Sequence, residues 1–145
     1  MAEVAKVHCD VPREWLAEHR YSAESIHQTI EKLRSPACRN YVILAKNSSN
    51  AIVGLHWVQI AEKSEPLHGN VLSLWVHPQF RQRGVATRLK TSAESWLSSN
   101  GVSEVRTQVY VANTKMMALN QKLGYQVTMV GMAKKLHDGN GFNGE

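Results

Sequence analysis

Leu72-Ser73-Leu74-Trp75-Val76-His77-Pro78-Gln79-Phe80-Arg81-Gln82-Arg83-Gly84-Val85-Ala86-Thr87-Arg88-Leu89 runs from an apolar segment through a proline turn into a helical pattern. Asn70 to His77 reads as a central strand, because it is largely apolar, and Pro78 stops it. From Gly84 to Ser99, the residues Val85, Leu89, Ala93, Trp96 and Leu97 recur on one side and predict a helix, closed by Asn100-Gly101. The first turn of a helix has backbone N–H groups without intrahelical acceptors and carries partial positive charge, which makes it a ready seat for a phosphate. Gly84 and Ala86 keep bulk away from that seat, and Arg81 and Arg83 are candidates for charge-assisted bonds. Taken by itself, Arg-x-x-Gly-x-Ala is matched equally well by an ordinary helix start with small residues and exposed arginines.

Upstream, Glu3 to Cys9 is expected as a short strand, ended by Pro12. Arg13–Arg20 and Ser22–Arg34 read as helices, the second capped by Ser22 and carrying Ile26, Ile30 and Leu33 on one face. Tyr41–Lys46 and Ala51–Ile60 are strands joined by the polar turn Asn47-Ser48-Ser49-Asn50, and Ala61–Gly69, which is charged and contains Pro66, is a loop. Downstream, Val105–Val111 alternates as a strand, Asn113–Leu123 is a helix ended by Gly124, and Tyr125–Leu136 is a final strand or pair of strands. The expected order is β-α-α-β-β-β-α-β-α-β. It describes an α/β fold with a central mixed, mostly antiparallel sheet flanked by helices. Residues 1–136 are read as a single domain and 137–145 as a flexible tail.

A chain of 145 residues is the size of one domain and can bury a sizeable core. No apolar run reaches the roughly 20 residues of a membrane-spanning helix. Met1-Ala2-Glu3-Val4-Ala5-Lys6 has no secretory pattern, and Cys9 and Cys38 have neither disulfide-framework nor metal-ligand spacing, so a cytoplasmic protein without a metal is expected. The formal net charge is +5. The basic residues are dispersed except for Arg81, Arg83, Arg88 and Lys90, which suits a local anion site better than a nucleic-acid or membrane footprint.

The stretch as a whole resembles the coenzyme-A-binding core of the GCN5-related N-acetyltransferases, the GNAT superfamily. There a strand with Val-x-Pro leads into Gln/Arg-x-x-Gly-x-Gly/Ala and a helix; this chain has Val76-His77-Pro78 and Arg81-Gln82-Arg83-Gly84-Val85-Ala86. A second match lies downstream, in Val109-Tyr110-Val111-Ala112-Asn113 and Lys122-Leu123-Gly124-Tyr125. The resemblance implies acetyl-CoA as co-substrate and a primary amine of a small molecule or peptide as acceptor. It implies that backbone amides of Gln82, Arg83, Gly84, Val85, Ala86 and Thr87 bind the pyrophosphate. The strand Leu74-Trp75-Val76 would pair with the pantetheine arm, chiefly through the backbone of Leu74 and Val76, and the Val76 amide would polarise the thioester carbonyl. Asn113 would lie near the pantetheine, although Asn at that place is also an ordinary helix cap. A homodimer is a further possibility on the same resemblance.

The chemistry of proton removal is less marked. His56 is the candidate general base, because imidazole titrates in the right range; the alternative is a plain strand histidine. A Tyr frequent in the family before the Lys-x-Gly-Tyr turn is replaced by Asn120, which has no titratable proton to give. Glu62, Glu65 and His68 are candidates to line the acceptor site, and Trp57 or Trp75 to border it. Two other enzyme and binding classes stay open: a protein N-terminal or lysine acetyltransferase, and a non-catalytic acyl-CoA-binding or regulatory module.

Overall fold

The computed structural model describes residues 1–137, so nearly all of the expected tail 137–145 lies outside the described residues. The chain forms two compact units, Met1–Asn113 and Thr114–Glu145.

In the first unit, helix α1 (Ala2–Asp10) runs into a 3-10 turn (Val11–Glu14), followed by α2 (Ala23–Arg34). Strands β1 (Cys38–Lys46), β2 (Ile52–Ala61) and β3 (His68–Val76) form an antiparallel meander, and α3 (Val85–Ser99) leads to β4 (Glu104–Arg106). β4 lies parallel to β3, which makes the sheet mixed, in the order β1-β2-β3-β4. The α/β class and the flanking helices are as expected.

Ser22 caps α2 as expected, in a capping box completed by Ser25. Gly84 is the N-cap of α3 and Gly101 follows its end in the left-handed region. Two expectations fail at the N-terminus. The segment expected as a strand, Glu3–Cys9, is helical: Ala5 is buried and His8 packs edge-on against Trp57 at 5.1 Å, a contact of helical rather than extended chain. The expected helix Arg13–Arg20 shrinks to the 3-10 turn, whose first turn holds Pro12.

α3 packs on one face of the sheet. A Cβ on Gly54 would stand 3.0 Å from Ala45 Cβ and 3.2 Å from Leu89, so the absence of a side chain there lets β2 and α3 approach. Val58, Ile60, Ala93, Leu97 and Val102 form the core on this face, with Tyr41 stacked on Trp96 at 4.7 Å. Side chains alternate along a strand. Trp57, three residues from Gly54, therefore faces the other way, where α1 lies against β2.

In the second unit, α4 (Thr114–Lys122) ends as expected at Gly124, whose φ is +92°. The Tyr125 amide donates to the Asn120 carbonyl at 2.9 Å and closes the turn. The segment expected as a final strand, 125–136, is not a strand among the described residues, and Val127, Met129, Val130 and Met132 are exposed. Among the described residues no helix is long and apolar enough to cross a membrane.

Candidate functional site

The site is built at the C-terminal end of β3. Residues of β3 lie opposite β2 as Gly54↔Val76, Leu55↔Trp75 and His56↔Leu74, and the His77 amide donates to the Val53 carbonyl at 2.8 Å. In an antiparallel ladder the backbone groups of alternate residues point alternately to the two sides. If His77 points its amide at β2, then Val76 and Leu74 point theirs away from it. On that outer side β4 pairs only with His68, Gly69 and Asn70. The strand expected over Val105–Val111 stops at Arg106. The two strands thus part after Asn70, and the backbone edge at Leu74 and Val76 lies beyond the reach of the β4 ladder.

The chain then turns through Pro78–Phe80 into α3. Gln82 and Gly84 both have positive φ, +59° and +76°. Turns of this kind present successive N–H groups to an anion. Gly84 makes no side-chain cap, and the first intrahelical bond is from the Arg88 amide to the Gly84 carbonyl, at 3.0 Å. The amides of Val85, Ala86 and Thr87 therefore have no acceptor inside the helix. A Cβ on Gly84 would meet nothing within 4 Å, so the chain is uncrowded at the N-cap itself. An uncrowded N-cap, bare amides and a helix N-terminus together fit a pyrophosphate, and the free edge of β3 fits an extended amide-bearing arm.

The basic cluster divides. Arg83 lies over the Phe80 ring at 5.5 Å, and Arg88 is exposed. Lys90 is buried, 2% exposed, and burial lowers its ammonium to about 8. Arg81 has partners of its own: its Nε donates to the Val76 carbonyl at 2.8 Å, and its Nη2 forms an ion pair with the Glu14 carboxylate. Glu14 also accepts from the Trp75 indole at 2.9 Å. The pairing of Glu14 was not readable in the sequence, because its partners are 61 and 67 residues away. After it, Trp15, Leu16, Ala17, Glu18 and His19 line a cavity of about 450 Å³, and the Trp15 indole nitrogen is buried without an acceptor.

His56 is 1% exposed, on the face of β2 that α3 covers. Its Nδ1 lies 2.8 Å from the Ser73 carbonyl. A carbonyl only accepts, so Nδ1 carries the proton and Nε2 the lone pair. Burial first, and the Lys90 charge after it, lower its pKa to about 4, against the raising effect of the Ser73 bond. At neutral pH the ring is uncharged. Those properties suit a core residue better than a base that exchanges protons with an amine, which works best near the operating pH.

The histidine makes a testable contribution to stability. Its pKa is about 4 in the folded chain against an ordinary 6.5. The unfolded chain therefore takes up the proton first as pH falls. The associated stability is complete above about pH 6.5 and is lost toward pH 4, a total of about 3 kcal/mol. His56→Gln is expected to flatten this part of the stability curve, measured by urea unfolding at pH 7 and pH 4.5. An unchanged pH slope would contradict it.

The remaining candidates separate in space. His68 opens β3 and Val76 closes it; the eight residue steps between them span roughly 26 Å. The loop carrying Glu62, Glu65 and His68 is therefore at the wrong end of the sheet, and Glu62 is paired with Arg39. Trp57 is fully buried, its indole donating to Asn40 Oδ1 at 2.8 Å, so of the two tryptophans only the partly exposed Trp75 borders the site. Asn113 ends the first unit, its amide bonded to the Tyr110 carbonyl at 2.8 Å. Asn120 is buried in the second unit, and its Oδ1 is without a hydrogen-bond partner.

Known proteins resemble this chain in sequence and in fold. A model of the acetyltransferase (GNAT) family matches residues 6–125. The mycothiol acetyltransferase of Propionibacterium freudenreichii is 28% identical over 94 residues, 63% of this chain and 30% of that protein. An aminoglycoside N(6')-acetyltransferase type 1 of Salmonella typhimurium is 34% identical over 55 residues, 38% of each chain. The matches thus span about a third of the length of these curated relatives. In fold, a putative acetyl transferase from Pyrococcus furiosus superposes with a TM-score of 0.74 at 18% identity, covering 92% of both chains.

Proposed function

This chain belongs to the GNAT acetyltransferase family, and from that premise we propose that it is an N-acetyltransferase moving acetyl from acetyl-CoA to a primary amine of a small molecule or peptide. The observation that carries the reading is the continuity of the free β3 edge at Leu74 and Val76 with the bare amides of α3. Acetyl-CoA, when bound, supplies the activated acetyl group. Backbone amides from Gln82 to Thr87 hold the pyrophosphate, with Arg83 beside them. The Leu74 and Val76 backbone holds the pantetheine arm, Trp75 borders the acceptor side, and the Val76 N–H polarises the thioester carbonyl. Asn113 helps to hold the arm. The two units act as one transferase domain, a reading supported by a family match that runs across their boundary.

The acceptor sits against the cavity that follows Glu14. The Glu18 carboxylate suits a molecule carrying an ammonium group, and relatives named for aminoglycoside and mycothiol acetylation favour the same class. His56, as the candidate base, is the least supported assignment, and attack by the unprotonated fraction of the amine needs no such group. The free thiols of Cys9 and Cys38 are in keeping with a cytoplasmic setting. A module that binds acyl-CoA without turnover is the second reading, favoured by Asn120 in place of the family's tyrosine.

The test is a thiol-release assay with acetyl-CoA over a panel of aminoglycosides, polyamines, amino sugars and peptides. The expected result is amine-dependent release of coenzyme A with at least one class. Binding of acetyl-CoA without release for any amine would favour the second reading.

A further inference from the structure

The Glu14–Arg81 pair joins the 3-10 turn at the chain's beginning to the end of β3. Its geometry is directional. Arg81 Nε donates to the Val76 carbonyl, on the outer edge of β3, while both Glu14 oxygens receive Arg81 Nη2 and one receives the Trp75 indole. Side chains of both ions are about one-third exposed, 35% for Arg81 and 33% for Glu14, so the pair is partly sheltered from water. An extended ligand adding to a strand edge uses the N–H and C=O of every second residue. At Leu74 both groups are on offer. At Val76 the guanidinium stands across the carbonyl and leaves the N–H as the last group before the chain turns away.

We propose that Glu14 is a positioning residue for the acyl group: by holding Arg81 across the Val76 carbonyl, it sets the register at which an added arm stops, with the thioester carbonyl at the Val76 N–H. Glu14 touches no reacting atom in this scheme and acts through Arg81. The inference rests on the reading of the chain as an acetyl-CoA-dependent transferase. It adds that the register of the donor is set by a residue of the segment that leads to the acceptor cavity. Without Glu14 the guanidinium is free to swing, and the arm can slide along the edge.

The experiment is isotope-edited infrared spectroscopy of acetyl-CoA labelled with 13C at the thioester carbonyl, bound to the full chain. Wild type, Glu14→Gln, Glu14→Ala and Arg81→Ala are compared after thermal melts confirm folding. Wild type is expected to shift the carbonyl stretch to lower wavenumber than in free acetyl-CoA, and each variant to lose most of that shift. Affinity for coenzyme A should change by no more than about threefold, while kcat falls about tenfold to a hundredfold, a split that separates register from binding. The Glu14→Ala/Arg81→Ala double variant should be no worse than the worse single one, as for residues acting as a unit. A shift retained in the Glu14 variants, or single effects that multiply in the double variant, would overturn the inference while leaving the transferase reading intact. Failure of wild type to bind acetyl-CoA would overturn both.

Discussion

Gly84→Glu is expected to abolish acetyl-CoA binding while leaving the protein folded. Gly84, the N-cap of α3, has φ +76°, and a Cβ there would meet nothing within 4 Å. Backbone strain is the smaller consequence: an ordinary residue in the left-handed region costs about 1–2 kcal/mol. The larger one is electrostatic. A carboxylate in that position sits at the positive end of the helix, can accept from the same first-turn amides, and repels an incoming pyrophosphate. Loss of those contacts should weaken affinity by at least about a hundredfold, or roughly 3 kcal/mol. Gly84→Asn is the informative control, since Asn tolerates the left-handed region and adds no charge. It should bind more weakly than wild type and much more tightly than Gly84→Glu. Calorimetry and melting curves on the three proteins check this, and undiminished affinity in Gly84→Glu would displace the phosphate from α3.

Trp57→Ala should be the most destabilising single change in the first unit. The ring is fully buried, meets His8 edge-on, and donates to Asn40 Oδ1, which also receives the Gln59 amide at 3.0 Å. Asn40 Nδ2 in turn donates to the carbonyls of Lys32 and Leu33, near the end of α2. Removing the indole leaves a cavity between sheet and helices and takes one donor from a network that ties α2 to β1. Truncations of this kind cost about 3–5 kcal/mol, a large share of a typical domain stability of about 5–15 kcal/mol. Trp57→Phe keeps most of the volume and loses the hydrogen bond, and should cost about 1–2 kcal/mol. Urea unfolding separates the two. A loss below about 1 kcal/mol for Trp57→Ala would mean that the α1–α2 layer contributes little to the fold.

What was legible in the sequence was local. The strand–turn–helix stretch at Leu72–Leu89, the Ser22 cap and the glycines closing α3 and α4 are set by a few neighbouring residues, and the structure has them where they were expected. The elements that were misread depend on partners far along the chain. In Glu3–Cys9, valines at 4 and 7 fit a strand composition and a helical repeat alike; burial of Ala5 and the contact of His8 with Trp57 decide for the helix. Val105–Val111 has strand composition, yet only Glu104–Arg106 finds a ladder, opposite His68–Asn70. Strand propensity describes how well a residue fits a pleated surface and creates no partner. Tyr125–Leu136 likewise reads as a strand and is not one among the described residues. The site followed this division. The helix start at Gly84 was readable from the motif, and the role proposed for the edge at Leu74 and Val76 came with the family resemblance, whereas the pairing of Glu14 with Arg81 was not readable. Lys90 was counted among the cations of the site, and only its place on the sheet-facing side of α3 reveals it as a buried group.

Titration of the purified full chain with acetyl-CoA by calorimetry tests the central claim most directly, because the donor site is the part on which everything else rests. The expected result is one molecule bound per chain with micromolar affinity, weakened as salt rises because charged phosphates are held. No heat of binding at millimolar acetyl-CoA, with the protein folded, would contradict the assignment of the β3 edge and the α3 amides as a coenzyme site.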